Sequence, residues 1–397
     1  MSDTLQGVRV LDLTRMLSGP YGAMILADMG AEVIKVEPPN EGDPIRAMGP
    51  PFLEGHESAY FLSINRNKKS VTIDLAKDEG REAFLRLVEH ADVVFDNFRP
   101  GVAQRLGIDY EACKARKPDV ICCSVSGFGQ DGPYRDLPAF DLILQAMAGG
   151  MSITGEPGGA PVRAGIPLAD LAGGMFAATA ICAALWRRER TDQGQQIDVS
   201  LLDSQVSMLT YVAQYYLANG RVPGPSGTAH QSVVPYQAFQ TSDIWIVVAV
   251  FVERHWARFC EALERPELAA DARFASNAGR LEHREELVAL LSRRFAERPG
   301  DEWIERLWQA GVPAGPINTV DRVLRDPQVL ARGMLAELAS PHPLAGPRRV
   351  LGNPIKTGAE DTFQPSPLLG QHTDEVLAGV AGLAPAEIAA LRAKGVI

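Results

Sequence analysis

Short apolar runs alternate with amphipathic stretches along the first third of the chain. Strands are predicted where the runs are apolar and β-branched, at residues 8–13, 31–37, 69–75, 92–98 and 119–126. Helices are predicted at 18–30 and at 78–91, where small or apolar residues recur at helical spacing. A strand, a short helix and a second strand in about thirty residues form a βαβ unit, whose strands are parallel. The pattern therefore predicts a doubly wound α/β domain in the first half.

The second half of the chain carries a different pattern. Residues 194–220 predict a short strand that continues as a long helix, and 221–232 form a polar connector rich in proline and glycine. Residues 235–251 predict a β-hairpin, and 253–310 are helical with charged faces. We therefore expect a large α/β domain, a linker, a smaller α+β domain, and a second linker that returns to the large domain. Their predicted bounds are 1–200, 201–229, 230–325 and 326–397.

The composition narrows the classes of partner. The 397-residue chain has a formal net charge of -10 and an isoelectric point near 5.3, which argues against a nucleic-acid-binding surface. The five cysteines and seven histidines show no metal-ligand spacing, so no metal site is expected. The N-terminus has no signal-peptide pattern, and the apolar segment 171–186 is too short to span a bilayer. We therefore expect a cytoplasmic protein with no membrane partner.

Residues 127–132 (GFGQDG) match the G-x-G-x-x-G spacing with which dinucleotide-binding folds hold a pyrophosphate. That fingerprint also needs a helix that begins at the loop, because the helix N-terminus stabilises the phosphate charge. Here Pro133 and Pro138 delay any helix to about Ala139. An NAD-dependent oxidoreductase is therefore the weaker hypothesis, and we expect no NAD. The favoured alternative is a turn that lets the backbone approach another group closely.

Asp170 stands at the start of a helix of mostly small residues, shortly before Gly173 and Gly174. Two interpretations are open at this point. As an N-cap, its carboxylate would accept hydrogen bonds from the first-turn amides. As a nucleophile, it would be kept ionised by the helix start, and the glycines would let substrate and backbone amides come close. Composition alone does not choose between these roles.

Distinctive segments occur through nearly the whole chain, among them VLDLTRMLSGPYGAMILADMGAEVIKVE, DNFRPGVAQRLG, SGFGQDGPYRDLPAFDLI, AGIPLADLAGG and GQQIDVSLLDSQ. Together they resemble the class III CoA-transferases, the family of formyl-CoA transferase and carnitine-CoA transferase. GTAHQSVVPYQAF and NRNKKS most resemble the branch that acts on dicarboxylates, such as the succinyl-CoA:hydroxymethylglutarate, itaconate and malate CoA-transferases. The resemblance implies a Rossmann-like large domain, a smaller domain, a ring-shaped chain and an interlocked homodimer.

The resemblance also implies that Asp170 is the nucleophile. Its carboxylate would attack an acyl-CoA thioester, with succinyl-CoA as the expected donor, to give an aspartyl mixed anhydride and CoA thiolate. The thiolate would then attack the aspartyl carbonyl, which gives an aspartyl-CoA thioester and releases the first acid. An acceptor carboxylate, expected to be a dicarboxylate, would reverse these steps. The implied cofactor is CoA, bound as acyl-CoA, with no metal and no NAD.

Several positions match the family's CoA contacts. The implied CoA-binding residues are Leu17, Ser18, Ile73, Leu75, Asn97, Phe98, Arg99, Arg105 and Asp141. A solvated helix charge for Arg105, and ordinary strand core for Ile73 and Leu75, are the alternatives. The chain departs from the formyl-CoA enzyme at three positions, which argues against formate and oxalate as acceptors. These positions are Leu17, Pro38 and Pro138.

The acid itself needs further contacts, because a dicarboxylate requires a cationic partner for its distal carboxylate. The candidate substrate residues are Arg15, Arg46, Phe140, His230 and Gln231. For His230 the alternative is a solvated side chain in a polar connector. Arg46, Lys68 and Lys69 are also possible contacts for the CoA phosphates.

The same superfamily contains 2-methylacyl-CoA racemases, which pair the aspartate with a histidine in a G-H-D pattern. Here the matching residues are Ala139, Phe140 and Asp141. A phenyl ring cannot exchange a proton, so Phe140 favours transfer over racemisation. Racemisation stays as the alternative activity.

Overall fold

A six-stranded parallel sheet forms the centre of the computed structural model, which describes residues 3–53, 57–338, 348–358 and 362–397. The strand order is β3-β2-β1-β4-β5-β6. The strands are β1 (Arg9–Asp12), β2 (Glu32–Glu37), β3 (Lys68–Thr72), β4 (Val93–Asp96), β5 (Ile121–Ser126) and β6 (Gln195–Ser200). The predicted parallel α/β fold is thereby confirmed.

The order of the strands reverses between β1 and β4. In open α/β sheets, the crevice outside the carboxyl ends of the strands at such a point is where ligands bind. The carboxyl ends of these two strands are Asp12 and Asp96, which lie on adjacent paired strands. A ligand is therefore expected to bind at the loops that follow β1 and β4.

Both faces of this sheet are covered, so its strands are apolar at successive positions. Leu11 and Ile34 pack in one core layer, whereas Val10 and Val33 pack in the other. The helices that accompany the strands are α1 (Ser18–Asp28), α2 (Ala59–Ile64), α3 (Asp78–Val88), α4 (Val102–Leu106), α5 (Tyr110–Arg116), α6 (Asp141–Met147), α7 (Leu168–Thr191) and α8 (Leu201–Ser207). Helix α9 (Thr210–Asn219) follows. The single long helix predicted after β6 is thus two helices, with Thr210 at a left-handed φ of 44°.

Helices α1 and α7 pack with their backbones in close approach. A Cβ added at Gly22 would lie 2.7 Å from the carbonyl oxygen of Gly174, and one added at Gly174 would collide with the carbonyl oxygen of Ser18. A Cβ at Gly173 would collide with the side chain of Leu201. Both glycines are therefore needed for the close packing of α7 against α1 and α8.

Helix α7 is also longer than the sequence suggested. It has 24 residues and is long and apolar enough to cross a bilayer by length and composition, which corrects the prediction that this segment is too short. Half of its most apolar window is buried inside the molecule, where Ala177 and Ile181 pack in the core. A core helix that never meets a membrane has the same composition.

The chain forms two compact units, and the second contains Met151–Val162 and Tyr215–Asp326. Its three-stranded antiparallel sheet consists of β7 (Tyr236–Gln240), β8 (Trp245–Ala249) and β9 (Ala314–Pro316). Its helices are α10 (Arg254–Ala262), α11 (Glu267–Ala270), α12 (Asn277–Glu282), α13 (Arg284–Phe295), α14 (Gly300–Gln309) and α15 (Val320–Val323). Its own core includes Phe239, Phe259 and Trp303.

The first unit contains Met1–Gly150, Arg163–Gln214 and Pro327–Ile397. Its C-terminal part comprises α16 (Pro327–Ala331), β10 (Leu335–Leu338), β11 (Arg348–Leu351), α17 (Thr373–Gly379) and α18 (Pro385–Ala393). Leu377 and Ile388 of the last two helices pack in the same core layer as Leu11. The predicted division had placed residues 151–162 in the large domain, whereas they belong to the second unit. Residues 339–347 and 359–361 of the predicted return segment lie outside the described residues.

Candidate active site

A cavity of about 470 Å³ lies in the first unit, outside the carboxyl ends of β1, β4 and β5. It therefore occupies the crevice that the strand order indicates. Its walls come from the loops after these strands and from the first turns of α6 and α7. The lining residues include Met16, Leu17, Ser18, Tyr60, Asn97, Phe98, Arg99, Ser126, Gly127, Arg135, Phe140, Asp141, Arg163 and Asp170.

Asp170 lies on this cavity, within the first turn of α7. Helix α7 begins at Leu168, and its N-cap residue is Pro167, which makes no side-chain cap hydrogen bond. The interpretation of Asp170 as an N-cap is therefore wrong. The cap acceptor comes from another element: Oδ1 of Asp141 accepts hydrogen bonds from the backbone N–H of Ala169 at 2.9 Å and of Asp170 at 3.4 Å.

The carboxyl group of Asp170 is held in a form that resists ionisation. Burial raises its pKa to about 7, and the negative charge of Asp141 adds to the effect. Desolvation and the neighbouring carboxylate therefore both act against the ionisation that the helix start was expected to favour. Tyr60 lies in the same buried, negatively charged surroundings, because burial and the nearby charge of Asp170 raise the pKa of its phenol. A carboxyl group with a perturbed pKa in a cavity is typical of a functional site.

Asp141 is a buried residue that ties three segments together. Its Oδ2 accepts a hydrogen bond of 2.6 Å from the side-chain amide of Gln145, one turn further along α6. The other end of that amide accepts a hydrogen bond of 2.9 Å from the backbone N–H of Ala164. Asp141 and Gln145 therefore fix the segment that precedes α7, together with the start of α7 itself. Asp141 lines the cavity as predicted, and in addition it positions Asp170.

Five of the predicted CoA-binding residues line the cavity beside Asp170 and Asp141: Leu17, Ser18, Asn97, Phe98 and Arg99. Asn97 joins two walls, because its side chain accepts from the backbone N–H of Arg15 at 2.8 Å and donates to the carbonyl of Arg15 at 2.7 Å. Its polar groups therefore hold the loop after β1 against the loop after β4.

The remaining predicted CoA contacts do not line this cavity. Ile73 is 1% exposed and packs in the core layer that contains Leu11, and Leu75 packs partly buried against the same layer. In this structure the side chain of Ile73 therefore offers no face to an adenine ring. Arg105 is exposed on the short helix α4.

The predicted substrate residues are dispersed. Phe140 lines the cavity and is 70% exposed. Arg15 does not line it, and its guanidinium lies 5.7 Å from the ring centroid of Phe98. Arg46 pairs with both carboxylate oxygens of Glu37, at 2.7 and 2.8 Å, so it is already occupied by a protein carboxylate.

His230 and Gln231 belong to the second unit. The backbone carbonyls of both residues accept hydrogen bonds from the guanidinium of Arg284. The ring of His230 lies 5.3 Å from that of Tyr236.

The cavity residues that the sequence interpretation missed include Tyr60, Arg135 and Arg163. Arg163 is exposed and has no ion pair within the ranges that the structure describes, whereas Arg135 pairs at 3.5 Å with Asp136. A signal for Arg163 was available, because it stands immediately before the segment AGIPLADLAGG that carries Asp170. Tyr60 had no such signal, since it reaches the cavity from a distant helix.

A buried charged cluster lies behind the loop after β1. The ammonium of Lys68 lies 3.0 Å from Oδ2 of Asp12, and that of Lys35 lies 3.0 Å from Oδ2 of Asp43. All four side chains are fully buried, and Lys35 also donates to the carbonyl oxygen of Thr14 at 2.6 Å. These charges fix the turn that leads into Leu17 and Ser18. Lys68 is therefore occupied, and Lys69 is held by Glu32 and Glu375, so neither ammonium is free for a CoA phosphate.

The glycine motif at 127–132 forms turns rather than a helix start. Gly129 and Gly132 have left-handed φ angles of 90° and 82°, and the following helix α6 begins only at Asp141. Gly127 lines the cavity, and a Cβ there would collide with the side chain of Ala139. The motif thus serves close packing at a cavity wall. Among the described residues, no group of three or more potential ligands could hold a metal ion.

Comparison with known proteins agrees with this geometry. Residues 5–373 match the model of CoA-transferase family III. A protein of Mus musculus named succinyl-CoA:glutarate CoA-transferase is 43% identical over 99% of this chain and 90% of its own length. One of Haloarcula marismortui named succinyl-CoA:mesaconate CoA-transferase is 40% identical over 94% of this chain and 95% of its own.

Solved structures agree as well. The crystal structure of a CAIB/BAIF family protein from Brucella suis matches with a TM-score of 0.84 and 40% identity, over 96% of this chain and 100% of that one. The predicted resemblance is thereby confirmed, including its likeness to the dicarboxylate branch. The chain belongs to CoA-transferase family III, and it is an enzyme that transfers CoA.

Proposed function

We propose that this enzyme moves CoA from succinyl-CoA to a dicarboxylate, with Asp170 as the covalent nucleophile. The observation that carries the proposal is the position of Asp170, a largely buried carboxyl group with a raised pKa on the cavity at the switch point of the sheet. The names of relatives at 40% and 43% identity support succinyl-CoA as the donor and a dicarboxylate as the acceptor.

The carboxylate of Asp170 is acylated first, and the resulting anhydride then reacts with CoA to give a thioester. Asp170 attacks the thioester carbonyl, and collapse of the tetrahedral intermediate expels CoA thiolate and leaves an aspartyl mixed anhydride. The thiolate attacks the aspartyl carbonyl and releases succinate, which leaves an aspartyl-CoA thioester. The acceptor acid then reverses both exchanges. Water competes at each stage, so a partly buried nucleophile protects the intermediates.

The charge on the cavity wall supports an acid with two carboxylates. Arg99, Arg135 and Arg163 line the cavity, and their guanidinium groups suit a carboxylate that does not react. Arg163 is the favoured contact, because it has no ion pair among the described residues and because Gln145 fixes the adjacent backbone of Ala164. Arg46 is less suited, since Glu37 already occupies its guanidinium.

The assembly and location of the enzyme are part of the proposal. Large apolar side chains are exposed on α6 and α7, as expected of a surface that a second copy covers. They include Leu142, Ile143, Met147, Met175 and Phe176. We propose a homodimer of interlocked, ring-shaped chains in the cytoplasm. Light scattering on the purified enzyme should give twice the mass of one chain, and a monomeric mass would contradict the dimer.

A trapping experiment tests the function. Enzyme incubated with succinyl-CoA and then treated with hydroxylamine should carry a hydroxamate on Asp170, detectable by peptide mass spectrometry. Asp170→Asn should form no adduct and lose transfer by at least about 10³-fold. Full activity in Asp170→Asn would remove the nucleophile assignment. An acceptor screen with glutarate, mesaconate, itaconate, malate, hydroxymethylglutarate, oxalate and formate identifies the acid.

Racemisation of a 2-methylacyl-CoA is the alternative within the superfamily. It needs a second acid–base group opposite the aspartate, and Phe140 supplies none. Exchange of the α-proton in deuterated water, without any acceptor acid, would support the racemase instead.

A further inference from the structure

Residues 163–166, which bring Arg163 to the cavity, have few contacts of their own. The segment forms neither helix nor strand, and Arg163, Gly165 and Ile166 are exposed. In the part of the chain that the structure describes, its backbone makes hydrogen bonds only to the side chain of Gln145. A stretch with so little packing keeps one position only where a specific contact holds it. Gln145 is therefore the contact that decides where the backbone of Arg163 lies.

Gln145 is a buried glutamine on α6 whose side-chain amide is fully used. It is 2% exposed and does not line the cavity. Its Oε1 accepts from the backbone N–H of Ala164 at 2.9 Å, and its Nε2 donates to the carbonyl oxygen of Ile166 at 3.4 Å. Nε2 also donates to Oδ2 of Asp141 at 2.6 Å. A glutamine amide has two N–H donors, so these partners use both of them.

The same amide connects the segment to the start of α7. Oδ1 of Asp141 accepts from the backbone N–H groups of Ala169 and Asp170. Two side chains in succession, Gln145 and Asp141, therefore hold the backbone of Arg163 and that of Asp170 relative to each other. Arg163 and Asp170 line the same cavity. The spacing between the guanidinium proposed to bind the distal carboxylate and the proposed nucleophile thus depends on Gln145.

We propose, on the basis of the function proposed above, that Gln145 is a positioning residue that selects the chain length of the acceptor dicarboxylate. The acceptor must bring one carboxylate to the thioester on Asp170 while the other pairs with Arg163. Because Gln145 fixes the spacing of these two protein groups, one length of carbon chain satisfies both at once. An acid with one methylene more or fewer satisfies only one of them, and it loses the orientation that speeds attack. Gln145 touches no reacting atom and acts through Arg163.

A series of acceptors tests this role. We would measure kcat/KM for isotopically labelled succinate, glutarate and adipate, each longer than the last by one methylene, with succinyl-CoA as donor. The wild type should favour one acid over a neighbour in the series by at least about 10-fold, since one methylene is typically worth about 10–200-fold. Gln145→Met has a side chain of similar size without the amide, so this preference should fall below about threefold.

A purely structural role would give a different result. Loss of the hydrogen bond to Asp141 also disturbs the start of α7, and this disturbance should lower kcat/KM for all acids alike. Butyrate, which has no distal carboxylate, measures that common loss. Only the ratio between acids of different length reports the position of Arg163.

Two further variants separate positioning from stability. Gln145→Glu keeps Oε1 as an acceptor for Ala164, so its length preference should lie between those of Gln145→Met and the wild type. Gln205 on α8 is the matched control: it is buried, does not line the cavity, and its Oε1 accepts no hydrogen bond from the described residues. Gln205→Met should keep the wild-type preference. The Tm of each variant shows that folded enzyme is compared.

Gln145 should act only through Arg163. In Arg163→Gln the contact that Gln145 positions is gone, so adding Gln145→Met should change the glutarate-to-adipate ratio by less than about twofold. Effects of the two substitutions that simply add would show that Gln145 acts by another route, and they would overturn the positioning role.

The remaining outcomes distinguish this proposal from the function on which it rests. A wild type without a length preference, or an equal loss for every acid in Gln145→Met, overturns the role of Gln145 while Asp170 remains the nucleophile. A lost preference in Gln205→Met would overturn it as well. Should Gln145→Met not fold, a wild-type preference in Gln145→Glu would overturn it. If Asp170→Asn still forms the CoA adduct and transfers CoA, the proposed function itself fails, whatever Gln145 does.

Discussion

Two groups of buried charges lie in the first unit, and they differ in the charges that face them. In the cluster of Asp12, Lys35, Lys68 and Asp43, each charge faces an opposite one. Burial alone would raise the pKa of Asp12, but the charges of Lys68 and Lys35 outweigh it and hold that pKa below its usual value. In the cavity, burial and the like charge of Asp141 both act on Asp170, and together they raise its pKa to about 7.

This difference in pairing suggests that the cluster around Lys68 has a structural role and that Asp170 has a reactive one. Charges that are paired and hydrogen-bonded are satisfied in the folded state, so they hold the turn into α1 in one conformation. Among the described residues no cation is paired with Asp170, and a carboxylate poorly stabilised by its surroundings gains more when a substrate converts it to an anhydride. An opposite charge therefore accompanies each supporting group, whereas the group proposed to react faces a like charge.

The largest expected effect is on the free energy of unfolding, and it tests the paired cluster of Asp12, Lys35, Lys68 and Asp43. Lys68→Met keeps much of the side-chain volume but leaves Asp12 with one cation fewer, so the free energy of unfolding should fall by about 3–5 kcal/mol. Its neighbour Lys69 is the matched control, because it pairs with Glu32 and Glu375 at one-third exposure. Lys69→Met should cost less than about 1 kcal/mol. Guanidinium unfolding followed by fluorescence measures both, and equal losses would contradict the distinction between the two lysines.

A smaller effect is expected on the cavity wall. Arg163→Gln removes the proposed contact for the distal carboxylate, and a hydrogen bond to a charged group contributes about 1.5–3 kcal/mol. The kcat/KM for glutarate should therefore fall by about 10–100-fold, while that for the monocarboxylate butyrate should stay within about threefold. Steady-state kinetics with both acceptors measure this ratio. An equal loss with butyrate would place Arg163 on CoA or in the fold instead.

The smallest expected effect concerns Asp141. Attack needs an ionised Asp170, so kcat/KM for succinyl-CoA should rise with pH through about 7, the pKa of Asp170, and level off above it. Asp141→Asn removes the like charge, which lowers the pKa of Asp170 and moves this acid limb to lower pH by up to about one unit. Burial, the larger cause, remains, so the limb should not reach the pKa of an exposed carboxyl group.

Asp141→Asn keeps Oδ1 as the acceptor for the amide of Ala169, but its amide nitrogen no longer accepts from Gln145. Asp78→Asn is the control, because that carboxylate is 85% exposed on α3. Its profile should match the wild type. A shift of the Asp141→Asn limb to higher pH would show that Asp141 does not act by charge repulsion.

Much of the fold could be predicted from apolar runs and helical spacing. The strands β1, β2, β4 and β5 lie within the mainly apolar segments that predicted them, because strands buried on both faces are apolar at most positions. The helix after β6 was not resolved into α8 and α9, since both halves have similar composition. Two residues, 208–209, and the left-handed φ of Thr210 separate them, and this break leaves no periodic signal.

The site was predicted less completely, because its residues come from segments that are far apart along the chain. Asp170 was placed on the correct helix, but its cap comes from Asp141, 29 residues earlier. Tyr60 reaches the same cavity from helix α2, more than 100 residues before Asp170. Arg46 has a suitable charge, and only the structure shows that Glu37 already occupies it.

The sequence by itself determined the parallel α/β fold, the resemblance to a CoA-transferase family and Asp170 as the candidate nucleophile. These properties are carried by local patterns of apolar residues and by segments that remain together along the chain. Only the tertiary structure decided the state of that carboxyl group, the packing role of Gly173 and Gly174, and the hydrogen bond from Ala164 to Gln145. The physical reason is that burial and the electrostatic field at a site depend on residues that approach from distant parts of the chain.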